Sequence, residues 1–250
     1  MLLSTDHGAV RELRLDRPPA NALNPELIAA LRAAVAEAPK SGARALVISG
    51  APGMFSGGLD VPALLQLDRN GIREVWEEFY GLMGALATST IPVAAAITGH
   101  SPAGGAVIAI FCDYRVMADG EFKIGFNEVQ VGLPMPPTIH AAVSRAVGAQ
   151  RSERLIVGGM MISPREAHRI GLVDDLAPTE GVVQAAHAWC ERLLKLPPEA
   201  CAQTRAMART DLGALFTWSR GREVDSVTED WFSAETQAAM RALIERLRKK

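Results

Sequence analysis

Aromatic side chains make up only 5% of this chain, although 48% of its residues are hydrophobic. A core with so few rings must rely on small aliphatic side chains and close backbone approach, and the 22 glycines permit that. Cysteine is nearly missing. Cys112, Cys190 and Cys201 lie far apart with no C-x-x-C spacing, which excludes a cysteine-built zinc site and fits a reducing compartment. No excess of one charge is present either: the formal net charge is −2 and the pI is near 6.2. That balance argues against general nucleic-acid binding, which needs a basic face to displace counterions from phosphates. The basic run Arg246 to Lys250 is read as a solvated helix end.

Long hydrophobic runs are absent as well. Residues 79–112 contain no Asp, Glu, Lys or Arg, yet Pro92, Gly99, Pro102, Gly104 and Gly105 interrupt them. A spanning helix needs about 20 predominantly apolar residues, so this stretch reads as a buried strand, a glycine turn and a buried helix, and no membrane partner is expected. The first residues lack the basic start and apolar stretch of a signal peptide, and a cytoplasmic location is the expectation. No repeat, low-complexity segment or Pro/Gly/Ser linker divides the 250 residues.

What is present begins with an alternating strand at Leu13–Asp16, ended by Arg17-Pro18-Pro19. Asn24 followed by Pro25 predicts a helix start, with Leu27, Ile28, Leu31 and Val35 on its apolar face. Ala45–Ile48 reads as a strand covered on both sides. A glycine-rich loop runs from Gly50 to Asp60, then a helix from about Ile72 to Leu86 and a strand from Pro92 to Ile97. A second glycine turn, Gly99 to Gly105, opens onto a helix at Ala106–Phe111, and Tyr114–Met117 resumes as a strand. After Pro136 the pattern is mostly helical. Ser163-Pro164-Arg165-Glu166 is a capping box with Gly171 as the stop, and Leu172-Val173 with Leu176 is one late strand. Helices are expected at Glu180–Leu196, Glu199–Thr210 and about Val224–Leu247. The fold class is therefore α/β with a helical C-terminal region, divided into a core over residues 1–195 and helices over 196–250.

Three features carry chemistry: the loop Phe55–Asp60, the turn Gly99–Gly105, and Glu128 within Phe126-Asn127-Glu128-Val129-Gln130. An unscreened glycine N–H can donate to a ligand oxygen, and at Gly104-Gly105 it also sits at a helix start. Two such donors on one oxygen form an oxyanion hole; the plainer alternative is two tight turns. Neither loop is a G-x-G-x-x-G or a phosphate loop, so nucleotide binding is weakly supported. Glu128 has apolar neighbours in Phe126, Val129 and Val131, which would desolvate it and raise its pKa toward that of a general base. A rival reading takes Gly99-His100-Ser101-Pro102-Ala103 as a near match to a nucleophile elbow, with Asp174 or Asp175 and His187 completing a serine-hydrolase order. Against it, His187 falls in an amphipathic helix and reads as a surface residue. His7, His100, His140 and His168 are isolated with no metal-ligand spacing, and no metal is expected.

The order and spacing of several segments resemble the crotonase superfamily, the enoyl-CoA hydratase/isomerase family. They are Leu15-Asp16-Arg17-Pro18-Pro19-Ala20-Asn21-Ala22-Leu23, Phe55-Ser56-Gly57-Gly58-Leu59-Asp60, Gly104-Gly105, Cys112-Asp113-Tyr114-Arg115 and Gly171-Leu172-Val173-Asp174. The resemblance implies a superhelix of ββα turns whose C-terminal helices, residues 196–250, build a homotrimer or a dimer of trimers. It also implies an acyl-CoA thioester substrate, with coenzyme A entering as part of the substrate and no separate cofactor. The oxyanion hole would come from the N–H groups of Gly57 and Gly104. Coenzyme A would run past Gly57, Gly58, Leu59 and Asp60, with its nucleotide end near Ala20 and Ala22. Hydratases of this family use two glutamates, one matching Glu128 and the other falling on Val107 here. One carboxylate suffices to carry a proton from C2 to C4. The segments Ser101–Gly105 and Ile124–Gln130 are similar to those of the Δ3,Δ2-enoyl-CoA isomerases, so isomerisation is the expected reaction.

Overall fold

A computed structural model describes residues 1–217 and 220–248, so Lys249 and Lys250 of the basic C-terminal run lie outside the described residues. The chain begins with an antiparallel hairpin, β1 (Leu2–His7) and β2 (Val10–Leu15), in which Leu2 pairs with Leu15 and His7 with Val10. Helix α1 (Pro25–Glu37) starts where the sequence predicts. Asn24 Oδ1 accepts from the Leu27 N–H at 3.0 Å, and Leu27, Ile28, Leu31 and Val35 are buried. A cap of this kind contributes about 1 kcal/mol.

The chain then repeats a unit of two strands and a helix. The first unit is β3 (Ala45–Ser49), β4 (Gly53–Met54), a short α2 (Val61–Leu64) and α3 (Arg69–Ala87). The second is β5 (Val93–Ile97), β6 (Gly99–Pro102) and α4 (Gly104–Ile110). The third is β7 (Tyr114–Ala118), β8 (Ile124–Gly125), a 3-10 turn at Glu128–Val131 and α5 (Pro137–Val147). After α6 (Ala149–Val157), β9 (Met161–Ile162), α7 (Pro164–Ile170) and β10 (Asp175–Ala177), the chain is helical: α8 (Val182–Leu194), α9 (Pro198–Ala208), α10 (Thr210–Ala214), α11 (Arg220–Trp231) and α12 (Ala234–Arg248).

The first strand of each unit joins one sheet and the second strand joins another. The sheets run β1-β2-β3-β5-β7-β10 and β4-β6-β8-β9. This alternation coils the ββα units into the expected superhelix. β4 and β6 touch so closely that a Cβ on Gly99 would lie 2.0 Å from the Gly53 carbonyl carbon. Only glycine fits that crossing. One face of the larger sheet packs on the main core. The other is covered by α8, where Val182, Ala186 and Cys190 meet Val10, Ala45, Val47, Ala94 and Ala96.

Several elements differ from the sequence expectation. Residues 99–102 form a strand, β6, paired with β4 and β8, where a turn is predicted. The late strand falls at Asp175–Ala177, beside β7, with Leu172 and Val173 buried ahead of it. The last helical stretch breaks in two at Phe232–Ser233, and the Ser233 hydroxyl accepts from the Thr236 N–H at 3.1 Å to start α12. Ser163 caps α7 through the Glu166 N–H, and Gly171 closes that helix at φ 83°, both as predicted. No described helix is long and apolar enough to cross a membrane.

Candidate active site

A cavity of about 270 Å³ opens where the β4–α2 loop, the start of α4, the 3-10 turn and the last two helices converge. Trp76 and Phe79 of α3, Val107 of α4, Trp231 of α11 and Met240 of α12 give it apolar walls. Glu128 is the single ionisable side chain among the described lining residues, and Asn127 stands beside it. Glu128 is half-buried as a residue, but its Oε2 is sealed from solvent without a hydrogen-bond partner, as is Asn127 Oδ1. Burial therefore pushes the Glu128 carboxyl up to about 7.

The turn that carries Glu128 is held from two sides. Thr236 of α12 donates its hydroxyl to the Gly132 carbonyl at 2.7 Å, and Gln130 donates its amide to the Gly159 carbonyl at 2.8 Å. Gly132 closes the turn at φ 75°, and a Cβ there would meet the Thr236 backbone at 2.9 Å. The C-terminal helix thus both walls the cavity and fixes the carboxylate. Asn127 is a site residue that sequence reasoning missed; its one signal was its place next to Glu128.

The backbone donors available in the residues that line this cavity are not quite those expected. The Gly57 N–H donates to the Ala20 carbonyl at 2.7 Å and is not free to hold an oxyanion, although Gly57 does line the cavity. The Gly58 N–H is taken by the Ser56 hydroxyl at 3.2 Å. The Leu59 N–H has no acceptor among the described residues, nor does the Gly104 N–H at the start of α4. Both Leu59 and Gly104 line the cavity, and a Cβ on Gly104 would stand 3.5 Å from the Leu59 nitrogen. The available donor pair is therefore Leu59 and Gly104. The shift by two residues follows from which N–H the Ala20 carbonyl captures.

That capture is arranged by Asn21. It adopts φ 49°, donates its amide to the Met54 and Phe55 carbonyls at 3.3 and 3.2 Å, and accepts from the Arg17 N–H at 2.8 Å. The segment 17–22 is thereby stapled to the 54–57 strand end. Left-handed backbone is tolerated by Asn better than by most residues. Ala20 and Ala22 are half-buried in this staple and do not line the cavity. Asp60 is also outside it: its carboxylate pairs with Arg17 at 2.6 Å and caps α2 through the Ala63 N–H. Ala103, just before Gly104, holds φ 44°, a strained geometry of the sort concentrated at functional turns.

The serine-hydrolase constellation does not assemble. Ser101 is fully buried within β6, and its hydroxyl has no partner. Asp174 binds the backbone and guanidinium of Arg115, and Asp175 accepts from the Tyr114 hydroxyl at 2.7 Å. His187 lies on α8 next to Glu12, with its side chain only 13% exposed, and is not the surface residue that the helical pattern predicts.

The match to known proteins agrees with this geometry. The sequence model of the enoyl-CoA hydratase/isomerase family matches residues 5–250. The chain is 29% identical to the human mitochondrial enoyl-CoA delta isomerase 1 over 252 residues, covering 99% of this chain and 83% of that protein. It is 33% identical to the probable enoyl-CoA hydratase EchA17 of Mycobacterium tuberculosis over 198 residues, 78% of this chain and 74% of that one. The crystal structure of human mitochondrial delta3-delta2-enoyl-CoA isomerase superposes with a TM-score of 0.94 at 26% identity, covering 99% and 98% of the two chains. With its ββα superhelix and a family match that runs over residues 5–250, the chain belongs to the enoyl-CoA hydratase/isomerase family of the crotonase superfamily.

Proposed function

We propose that the protein is an isomerase that moves the double bond of a 3-enoyl-CoA to the 2-position. The observation that carries this reading is one carboxylate, Glu128, whose Oε2 has no hydrogen-bond partner among the described residues, in an apolar cavity lined also by Leu59 and Gly104, whose N–H groups have no acceptor among those residues. The N–H groups of Leu59 and Gly104 would hold the thioester oxygen and lower the pKa of the C2 proton. Glu128 removes that proton, giving a dienolate whose charge rests largely on the held oxygen. The protonated Glu128 then returns the proton to C4, while the apolar walls keep out competing water.

Val107 supports isomerisation over hydration. It lines the cavity at 1% exposure, where the family's hydratases carry a second carboxylate. Addition of water needs a group to orient or deprotonate the water and another to share the proton transfer. In this reading coenzyme A passes the 57–60 segment toward Ala20 and Ala22, outside the cavity proper, and needs no separate cofactor. The helices over residues 196–250 then serve a homotrimer or a dimer of trimers.

The test is to give the purified enzyme trans-3-hexenoyl-CoA and, separately, crotonyl-CoA. Double-bond migration is expected to exceed hydration by orders of magnitude. Dominant hydration would replace this reading with a hydratase whose second proton-transfer group is not at position 107.

The pH profile follows from the state of Glu128. The base must be ionised, and burial raises its carboxyl from 4.5 to about 7. kcat/KM for migration should therefore fall as pH drops through about 7. A limb near 4.5 would show that an unburied carboxylate does the work.

A further inference from the structure

Three residues outside the catalytic cavity meet at the edge of the six-stranded sheet: His7 of β1, Glu12 of β2 and His187 of α8. Glu12 Oε2 lies 3.4 Å from His7 Nε2 and 3.7 Å from His187 Nε2, and one donor atom from each residue falls within 4.8 Å of the other two. The two imidazole rings stand 4.6 Å apart, edge to face. His187 Nε2 is sealed from solvent, and no polar atom of the described residues lies within 3.5 Å of it in hydrogen-bonding geometry.

The spacing is informative. Zinc–nitrogen and zinc–carboxylate bonds of about 2.0–2.2 Å in a tetrahedron set donor atoms roughly 3.3–3.5 Å apart. Two of the three edges of this triangle stand at or just above that separation, and the third is no longer than 4.8 Å. A carboxylate oxygen facing two imidazole nitrogens needs protons or a cation between them. The second carboxylate oxygen is already fixed, because Glu12 Oε1 accepts from the Ser49 hydroxyl at 2.5 Å. Orientation of a ligating carboxylate by an outer hydrogen bond is what metal sites require.

Placement separates this cluster from the reaction. Glu12 shares a strand face with Val10, which packs against α8, whereas Leu13 and Leu15 face the main core that contains the cavity walls. The His7 side chain is 49% exposed, so water has access on that side for a fourth position. Two imidazoles and one carboxylate favour a borderline cation such as Zn²⁺ over Mg²⁺ or Ca²⁺, which prefer all-oxygen shells.

We propose that His7, Glu12 and His187 form a binding site for a zinc-type divalent cation, which pins the N-terminal hairpin to α8. The site takes its ligands from three elements separated by up to 180 residues. It would therefore tie the first strands of the fold to its last sheet-covering helix.

The experiment uses the full-length, tag-free protein stripped with a chelator. Zn²⁺ is titrated by calorimetry, and Co²⁺ by the visible absorption of a four-coordinate ion. One equivalent per chain is expected, together with a rise in Tm. His7→Ala, at an exposed position, and the isosteric Glu12→Gln should each weaken Zn²⁺ binding at least tenfold and abolish the Co²⁺ spectrum. The double variant His140→Ala/His168→Ala should bind as the wild type does. Unchanged affinity in His7→Ala and Glu12→Gln, or equal loss in the surface double variant, would overturn the site. Double-bond migration is read separately and should be the same with and without Zn²⁺, so the outcome does not depend on the catalytic reading.

Discussion

Glu128→Gln is expected to lower double-bond migration by about 10³-fold or more, while making the protein more stable at pH 8. A positioned general base contributes typically 10²–10⁴-fold, and in the proposed mechanism the same carboxyl both takes and returns the proton. The effect on stability has the opposite sign. The folded protein holds the Glu128 proton up to about 7, whereas the unfolded chain releases it near 4.5. Below 4.5 both states are protonated and the buried site is neutral. As pH rises through about 7 the carboxylate must ionise in apolar surroundings, and the stability present at low pH is lost. At about 1.4 kcal/mol per tenfold change in proton affinity, that loss is at most about 3.5 kcal/mol.

Glutamine has the same shape and never ionises. The variant should exceed the wild type at pH 8 by up to that amount, and the difference should vanish near pH 4.5. Urea denaturation at fixed protein concentration, run at both pH values beside the migration assay, checks the two halves together. Retained turnover would remove Glu128 from the mechanism. Equal stability at both pH values would mean that the carboxylate is solvated.

Gly58→Ala should cut kcat and kcat/KM for migration together by about 10²-fold, which is the scale of losing one oxyanion donor. Gly58 sits at φ 83°, and a Cβ there would stand 3.1 Å from Ala103 Cβ, 3.2 Å from the Pro102 carbonyl oxygen and 3.3 Å from the Gly104 nitrogen. The methyl group wedges between the loop that carries the Leu59 N–H and the turn that carries the Gly104 N–H. Part of the cost is conformational, because a left-handed backbone costs an L-residue about 1–2 kcal/mol.

Gly53→Ala separates the two causes. Gly53 has a similar φ of 85°, but nothing lies within 4 Å of a Cβ placed there. It should lose a similar amount of stability and keep its activity. Equal loss of turnover in both variants would assign the effect to backbone strain and not to the spacing of the donors.

Much of this molecule was legible before any coordinates. Asn24-Pro25 and Ser163-Pro164 mark helix starts because a side-chain oxygen at that place satisfies an N–H that the helix cannot. Ala45–Ile48 reads as a buried strand because no polar residue interrupts it. Glu128 stands out because a carboxylate among apolar neighbours must be desolvated, and the burial of Oε2 bears this out. These inferences rest on interactions within a few residues along the chain.

The rest depends on contacts between distant segments. β4, β8 and β9 are two residues long, too short for a pattern, and exist only because neighbouring turns of the superhelix pair with them. That the Gly57 N–H is engaged while the Leu59 N–H has no acceptor among the described residues was decided by the Ala20 carbonyl, which lies 37 residues away in sequence from the N–H it engages. His7 reads as isolated and His187 as a helix-surface residue until the hairpin and α8 bring both to Glu12 at one sheet edge. Local sequence determined where helices and strands begin, and which carboxylate would lie in an apolar environment. The tertiary structure alone decided which backbone groups remain unpaired and which distant side chains meet, because both are settled by what the chain elsewhere has already engaged.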